Sequence, residues 1–392
     1  MIYTTIKRVF HPIGQGAFYS ERHDNYNIVY DCGEWKNSKE STRLVENSFS
    51  SNSVIHMLFI SHFDFDHVSK IDVLKNNFTI QICILPLLSD EQKKIMTAFY
   101  KSLDKATIPN FDTLIALINN PEKYFKAQTK IIYVKPVSKE NKSNEEDIVS
   151  PILDDLLKSN SKFKNGTIIE SGTQISINHN WIYMPYNINY SQRKKELEDI
   201  FATPDPETDE CLDISEFINN IDYALKNRST IKKIYDKLQG KINLNSMLLY
   251  SGPPLNKQST LLFSDRLYGR CYHFPTYWSN ECNIWNKPAC IFTGDANLNF
   301  VDIKEIFHDY WNYVGTIQLP HHGAESAFAF ALLKDDENFI FPVSYGRQNT
   351  YGHPSDNVMI EIASQGSCVV HITESKETLY IQAIRTARSI CS

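Results

Sequence analysis

Ser61-His62-Phe63-Asp64-Phe65-Asp66-His67 places four metal-ligand side chains within six residues. It follows directly on the apolar run Val54-Ile55-His56-Met57-Leu58-Phe59-Ile60. That run reads as a buried strand. The ligands therefore fall on the loop leaving the strand's C-terminal end, where a rigid element holds polar groups towards solvent. Imidazole and carboxylate together suit zinc, manganese or iron. Adjacent ligands such as Asp66 and His67 can serve two neighbouring metal positions. The bland alternative is a charged loop of chance composition, and the rest of the chain argues against it.

The same arrangement recurs downstream. Ala289-Cys290-Ile291-Phe292 runs into Thr293-Gly294-Asp295. Gly315-Thr316-Ile317-Gln318-Leu319 ends in Pro320-His321-His322-Gly323. Phe339-Ile340-Phe341-Pro342-Val343-Ser344 leads to Asn349-Thr350-Tyr351-Gly352-His353-Pro354. One such strand end is ordinary; four in one chain predict convergence at one edge of a sheet. His11, His23, His56, His179, His273, His308 and His371 have no such context and read as surface or satisfied core histidines. Upstream, Ile13-Gly14-Gln15-Gly16 is a turn whose glycines permit close backbone approach, and Asn27-Ile28-Val29-Tyr30 is a strand ending in Asp31-Cys32-Gly33.

Between these landmarks the pattern changes. Helical spacing covers Glu91–Leu103, Phe111–Phe125 and Glu146–Lys158, with a polar loop at Lys139–Asp147. Residues 188–241 are the least sheet-like and read as a helical insertion, a lid or partner surface. Its basic end (Lys226, Arg228, Lys232, Lys233, Lys237, Lys241) reads as a solvated helix face or, more sharply, a phosphate-backbone contact. Later, Ile303, Ile306, Phe307, Tyr310 and Trp311 share one helical face, and Ser326–Leu333 looks helical. Ser355 is placed to cap a last helix that Gly366 ends.

Composition sets the class. The 392 residues, 42% hydrophobic and 12% aromatic, describe a folded globule of one elaborated domain or two. No apolar run approaches the ~18–20 residues of a membrane helix, and the N-terminus carries no export pattern. Eight scattered cysteines without a Cys-x-x-Cys pair suggest reduced thiols and a cytoplasmic location. A formal net charge of −6 gives no global attraction for nucleic acid.

Taken together, the motifs resemble the metallo-β-lactamase fold family, whose signature is His-x-His-x-Asp-His. Here it reads His62-x-Asp64-x-Asp66-His67, with aspartate at the second ligand position. That variant is similar to the hydrolase domain of ComEC-type competence DNA-uptake channels. So are the Gly-Gln-Gly turn, Asp31-Cys32-Gly33, Thr293-Gly294-Asp295, Pro320-His321-His322-Gly323 and Asn349-x-Tyr351-Gly352-His353-Pro354. The order holds from residue 9 to about residue 385, with 188–241 outside the match. Ala17 stands where that branch has an acidic residue, Val68-Ser69 where it has glycines, and no segment corresponds to the membrane channel.

The resemblance implies an α/β (α+β) protein, an αββα four-layer sandwich spanning residues 1–392 as one hydrolase domain with 188–241 inserted. It implies two divalent cations, zinc or manganese, about 3.5–4 Å apart. His62, Asp64, Asp66, His67, Asp295, His321 and His353 are the expected ligands, with Asp295 bridging. Asp66 and His322 are the expected catalytic residues, the one of the His321/His322 pair not bound to metal protonating the leaving oxygen. Asn349 and Tyr351 are expected at the substrate. The family's separate middle histidine has no clear replacement; His179 and His273 are the only candidates in the later sheet segment before Asp295. Replacing an imidazole by the Asp64 carboxylate hardens one site, which makes manganese a competitor to zinc.

The leading expectation is a soluble dinuclear phosphodiesterase, a nuclease cleaving DNA or RNA by means of a water activated between the ions. The alternatives are hydrolysis of small phosphodiesters, esters or lactones, or a recognition subunit of a multi-protein, for example defence, system that binds a protein partner through 188–241.

Overall fold

The computed structural model describes residues 3–36, 38–103, 111–125, 127–137, 150–158, 160–189, 191–204, 211–237, 245–255, 262–267, 287–333 and 338–387. In chain order the first strands are β1 (Tyr3–Phe10), β2 (Phe18–Arg22), β3 (Asn27–Cys32), β4 (Val54–Phe59), β5 (Thr79–Pro86), β6 (Lys130–Val134), β7 (Pro136–Val137), β8 (Thr167–Ile169) and β9 (Ile175–Ile177). They are followed by β10 (Trp181–Asn189), β11 (Asn245–Gly252), β12 (Leu262–Leu267), β13 (Ala289–Phe292), β14 (Val314–Ile317), β15 (Ile340–Ser344), β16 (Cys368–Ile372) and β17 (Tyr380–Ala387). They form two sheets. One runs β12-β17-β1-β2-β3-β4-β5-β6-β8, the other β16-β15-β14-β13-β11-β10-β7, with β9 paired to β10.

Strand β4 shows why the sheets stack. Its Leu58 enters an apolar core on the outer, helix-covered face of the first sheet. Met57 and Phe59, pointing the other way, enter the core between the two sheets. A strand buried on both faces reads as a near-continuous apolar run rather than an alternation. A third core, with Ile291, Ile317 and Phe341, lies between the second sheet and helical segments that contribute Ile303, Phe307 and Val358. Three cores separate four layers, so the chain is an αββα sandwich. The first and last described strands pair antiparallel, Tyr3 opposite Ala387.

The first sheet's outer face is covered by α1 (Lys39–Glu46), α2 (Phe65–Val68), α3 (Ile71–Asn77), α4 (Asp90–Ser102), α5 (Phe111–Asn119) and α6 (Pro121–Tyr124). Helix α4 starts at a capping box, Ser89 with Gln92. Next come α7 (Leu153–Leu157) and the helices of the expected insertion: α8 (Ser191–Phe201), α9 (Ile214–Asn219), α10 (Ile221–Lys226) and α11 (Arg228–Lys237). Leu197, Phe201, Phe217, Ala224 and Ile231 are buried in the same outer core as Phe99 of α4, so these helices thicken that layer. Lys226, Arg228 and Lys232 are exposed; Lys241 and the loop Lys139–Asp147 lie outside the described residues. Among the described residues no helix is long and apolar enough to cross a membrane.

Several helical expectations are shortened. Phe111–Phe125 is two helices, because Pro121 has no N–H to continue the first ladder and instead begins the second. The helix at Ile303 ends at Ile306 and gives way to a 3-10 turn, His308–Tyr313, although Ile303, Phe307, Tyr310 and Trp311 are buried as expected. Ser326–Leu333 is covered by two 3-10 turns, Glu325–Ala327 and Phe330–Leu333. Of Glu146–Lys158 only Leu153–Leu157 is helical, and 146–149 lie outside the described residues. Ser355 does precede the helix Asp356–Ser364, but its hydroxyl donates to Glu325 (2.9 Å) rather than capping.

What matters for the site is direction. Strands β3, β4 and β5 are parallel, and so are β13, β14 and β15. Their C-terminal ends carry Asp31, the His62–His67 loop, Asp295, the His321-His322 pair and Ser344.

Candidate metal centre

The loop after β4 is held from below by backbone. The Asp66 carbonyl accepts from Ala17 N (3.1 Å), and Lys70 N donates to the Cys32 carbonyl (2.9 Å). Gly16 and Gly33 lie so close that a Cβ on either would sit 2.7 Å or less from Asp66 backbone atoms. The Gly-Gln-Gly turn thus does serve close approach. Asp31, at the end of β3, is fully buried with φ of 53°. Its carboxylate accepts from Ser61 N (2.7 Å) and Ser61 Oγ (2.6 Å), and pairs with His67 Nδ1 (2.9 Å).

From the second sheet come Asp295 and the histidine pair. Gln318 joins their loops: its Oε1 accepts from Thr293 N and Gly294 N (both 2.9 Å), and its Nε2 donates to the Leu319 carbonyl (2.7 Å). His321 N donates to the Gly294 carbonyl (3.1 Å). His321 and His322 both adopt left-handed backbone, φ 46° and 54°. Non-glycine residues rarely do so outside sites where the surroundings enforce it.

One carboxylate faces two imidazole sets. Asp295 Oδ2 is 3.7 Å from His62 Nε2 and 3.5 Å from His321 Nε2, while Oδ1 is 3.1 Å from His67 Nε2. Asp64 Oδ2 is 3.6 Å from His62 Nε2 on the first side. On the other, His322 Nε2 is 2.9 Å from Asp66 Oδ2. Two groups have ligand atoms all within 4.8 Å of one another: His62, His67 and Asp295, and Asp66, His67 and His322.

The histidines are presented for coordination. His62 Nδ1 meets Ser61 Oγ (2.7 Å), His67 Nδ1 meets Asp31, and His322 Nδ1 donates to the Ser344 carbonyl (2.8 Å). A carbonyl or carboxylate only accepts, so Nδ1 of His67 and His322 carries the proton. Nε2 is left with its lone pair towards the pocket when the ring is neutral. Metal-binding histidines are held in this way. His62 Nε2, His67 Nε2 and Asp295 Oδ1 are buried without a hydrogen bond. Such orphaned polar atoms, converging on one space, fit a divalent cation.

Charge agrees. Burial would strip His67 of its proton, but Asp295 and Asp31 outweigh it and raise its pKa well above the ordinary histidine value. Burial opposes the ionised Asp295, yet His321, His67 and His62 hold it well below the carboxylate range. Burial lifts Asp64 to about 6, with Asp66 and Asp295 adding to the rise and His62 opposing it. Burial also opposes Asp66, but its hydrogen bond with His322 keeps its pKa low and raises that of His322. Without cations, protons on imidazoles supply the positive charge that clustered carboxylates require.

His353 is half-buried and outside both ligand groups, its ring 5.3 Å from that of His321. Asn349 is turned into its own loop. Its Nδ2 donates to the Gly346 and His353 carbonyls (both 2.7 Å), and its Oδ1 accepts from Tyr351 N (3.2 Å). It braces the backbone of His353. Tyr351 is exposed and stacks along His353. His179 occupies an exposed turn between β9 and β10, and His273 lies outside the described residues. Sequence reasoning passed over four side chains: Asp31 as an orienting carboxylate, Ser61, Gln318 and Tyr100, whose hydroxyl meets Asp64 Oδ1 at 3.2 Å. Asp31 and Gln318 shared the strand-end signal; Tyr100 had none.

Among solved structures, the chain is similar to the metallo-β-lactamase fold protein YhfI from Bacillus subtilis. The two share 8% identity over 95% of this chain and 98% of that one, with a TM-score of 0.35. No family model and no curated protein matches the sequence. The likeness is too distant to carry weight.

Proposed function

We propose that this chain is a metal-dependent hydrolase of the metallo-β-lactamase type, and a dinuclear phosphodiesterase that cleaves nucleic acid. The observation that carries this reading is the Asp295 carboxylate, whose two oxygens face different imidazole sets. On that basis His62, Asp64 and His321 would hold one cation and Asp66, His67 and His322 the other, with the Asp295 carboxylate shared by the two. Both members of the histidine pair are then ligands, and His321 takes the place of the family's separate middle histidine. The ions, zinc or manganese, would acidify a water between them and neutralise phosphate charge.

The protein's own groups do the rest. Asp31 and the Ser344 carbonyl fix the tautomers of His67 and His322. The half-buried His353, whose ring lies 5.3 Å from that of His321, is the proposed proton donor to a leaving oxygen. Tyr351, exposed beside it, is available to stack on a base or sugar. The ComEC-like motif set favours a nucleic-acid substrate. The net charge of −6 favours a small phosphodiester instead.

The deciding assay incubates purified protein with manganese or zinc and labelled single- and double-stranded DNA and RNA, alongside a small aryl phosphodiester. Asp66→Ala is the control. Cleavage of a polynucleotide that is lost in Asp66→Ala is expected. Turnover of the small diester alone would replace the nuclease reading with the small-molecule one. No turnover of either, with both ions bound, would overturn the phosphodiesterase reading.

A further inference from the structure

The chain departs from the family signature at Asp64, where a carboxylate replaces an imidazole. A histidine ligand offers one atom on a ring whose other nitrogen can be tied down. A carboxylate offers two oxygens, and one must be fixed if the other is to stay aimed. Tyr100 fixes it. This residue lies in the last turn of α4 and is fully buried. Its hydroxyl is 3.2 Å from Asp64 Oδ1 and 3.0 Å from the Phe63 carbonyl, so a single proton is shared along the ligand loop. Oδ2 is left facing His62 Nε2.

Helix α4 is gripped on its other side by the inserted helices. The Phe99 ring lies 4.9 Å from that of Phe217 and 6.2 Å from that of Phe201. Arg228 Nε donates to the Ser102 carbonyl (2.6 Å) at the helix's C-terminal end. Phe99 and Ser102, which the insertion holds, flank Tyr100, which touches the ligand loop.

We propose that Tyr100 is a positioning residue for the Asp64 side of the metal centre, and that the insertion sets its hydroxyl there by clamping α4. This rests on the dinuclear reading above. It makes the insertion part of the frame of the centre rather than a detached lid.

Manganese binding to the full chain, measured by titration against a chromophoric chelator, tests this without any turnover. Tyr100→Phe should weaken one of the two binding steps about 10–100-fold, leaving the other within about twofold. In an Asp64→His background, where no second oxygen needs fixing, Tyr100→Phe should change neither step. Phe217→Ala should weaken the same step, and add nothing further to it in Tyr100→Phe protein. Asp64→Glu, which keeps the tyrosine but carries the carboxylate past it, gives a second route to the same readout. Equal weakening of both steps, or of neither, overturns the proposal. A wild-type chain that binds fewer than two ions overturns the dinuclear reading as well, and the two failures are distinguishable.

Discussion

Asp31 reaches no open face of the pocket, yet two Ser61 donors and an imidazole converge on its carboxylate. Its left-handed backbone is a cost of about 1–3 kcal/mol that the fold tolerates at this position. Asp31→Asn isolates the reason. The amide oxygen can still accept from Ser61, but the amide nitrogen must donate. Opposite such a donor, His67 Nδ1 becomes an acceptor, and the ring proton moves to Nε2, the atom needed for a cation. Metal affinity should fall about 10–100-fold, measured by calorimetric titration with manganese or zinc; unchanged affinity would mean that the carboxylate has no orienting role. The sequence showed Asp31 as the end of a strand and as part of a motif, but not as the partner of His67. Its partner is 36 positions away, a pairing that local spacing cannot reveal. His62, Asp64, Asp66 and His67 were legible because their chemistry is concentrated in one short loop.

At the scale of elements, the loop after β4 stays in place because two glycine-bearing turns leave no side chain beneath it. A Cβ on Gly33 would lie 2.5 Å from the backbone of Asp66 and His67. Backbone cannot swing aside as a flexible side chain does, so Gly33→Ala must displace the ligand loop or the end of β3. An overpacked core of this kind costs about 1–3 kcal/mol or more. Thermal melting should show the loss, and metal stoichiometry should drop below two because Asp66 and His67 move together; a variant with wild-type stoichiometry would show that the loop has slack. The glycines were visible in the sequence, and so were the strand ends, since parallel strands deliver their C-termini to one edge. Helix lengths were less legible. Apolar spacing persists through Asn120 and across the 3-10 turn after Ile306, while the backbone hydrogen bonds are interrupted there.

Across the whole molecule, the two sheets are tied by a buried polar knot as well as by their apolar core. Arg8 of β1 pairs with Glu21 and donates to the Ser251 and Pro288 carbonyls (3.3 and 3.1 Å), crossing from one sheet to the other. Glu21 also accepts from Tyr183 and Ser251 (both 2.6 Å), and Tyr183 meets His23 Nε2 at 2.7 Å. Apolar runs made the layers legible, but nothing in the residues around Arg8 signalled a knot that joins five separate segments. It gives the fold an acid weakness. Burial lowers the His23 pKa from 6.5 to about 4; Glu21 pulls it up and Arg8 pushes it down, but burial wins. Between those pH values the unfolded chain binds a proton at His23 that the folded chain refuses, so stability falls as pH falls. His11, buried and lowered to about 3, acts in the same direction. In metal-free protein the raised pKa values of His67 and His322 act oppositely, giving stability that is present at low pH and lost as pH rises. A difference between variants removes that background. His23→Gln keeps a partner for Tyr183 but cannot titrate. Unfolding free energies from denaturant titration at pH 7 and pH 4.5, in chelator, should show wild type losing about 2 kcal/mol more than His23→Gln. Equal losses would mean that His23 takes up its proton in the folded chain as readily as in the unfolded one, and that the knot opens to accommodate the charge.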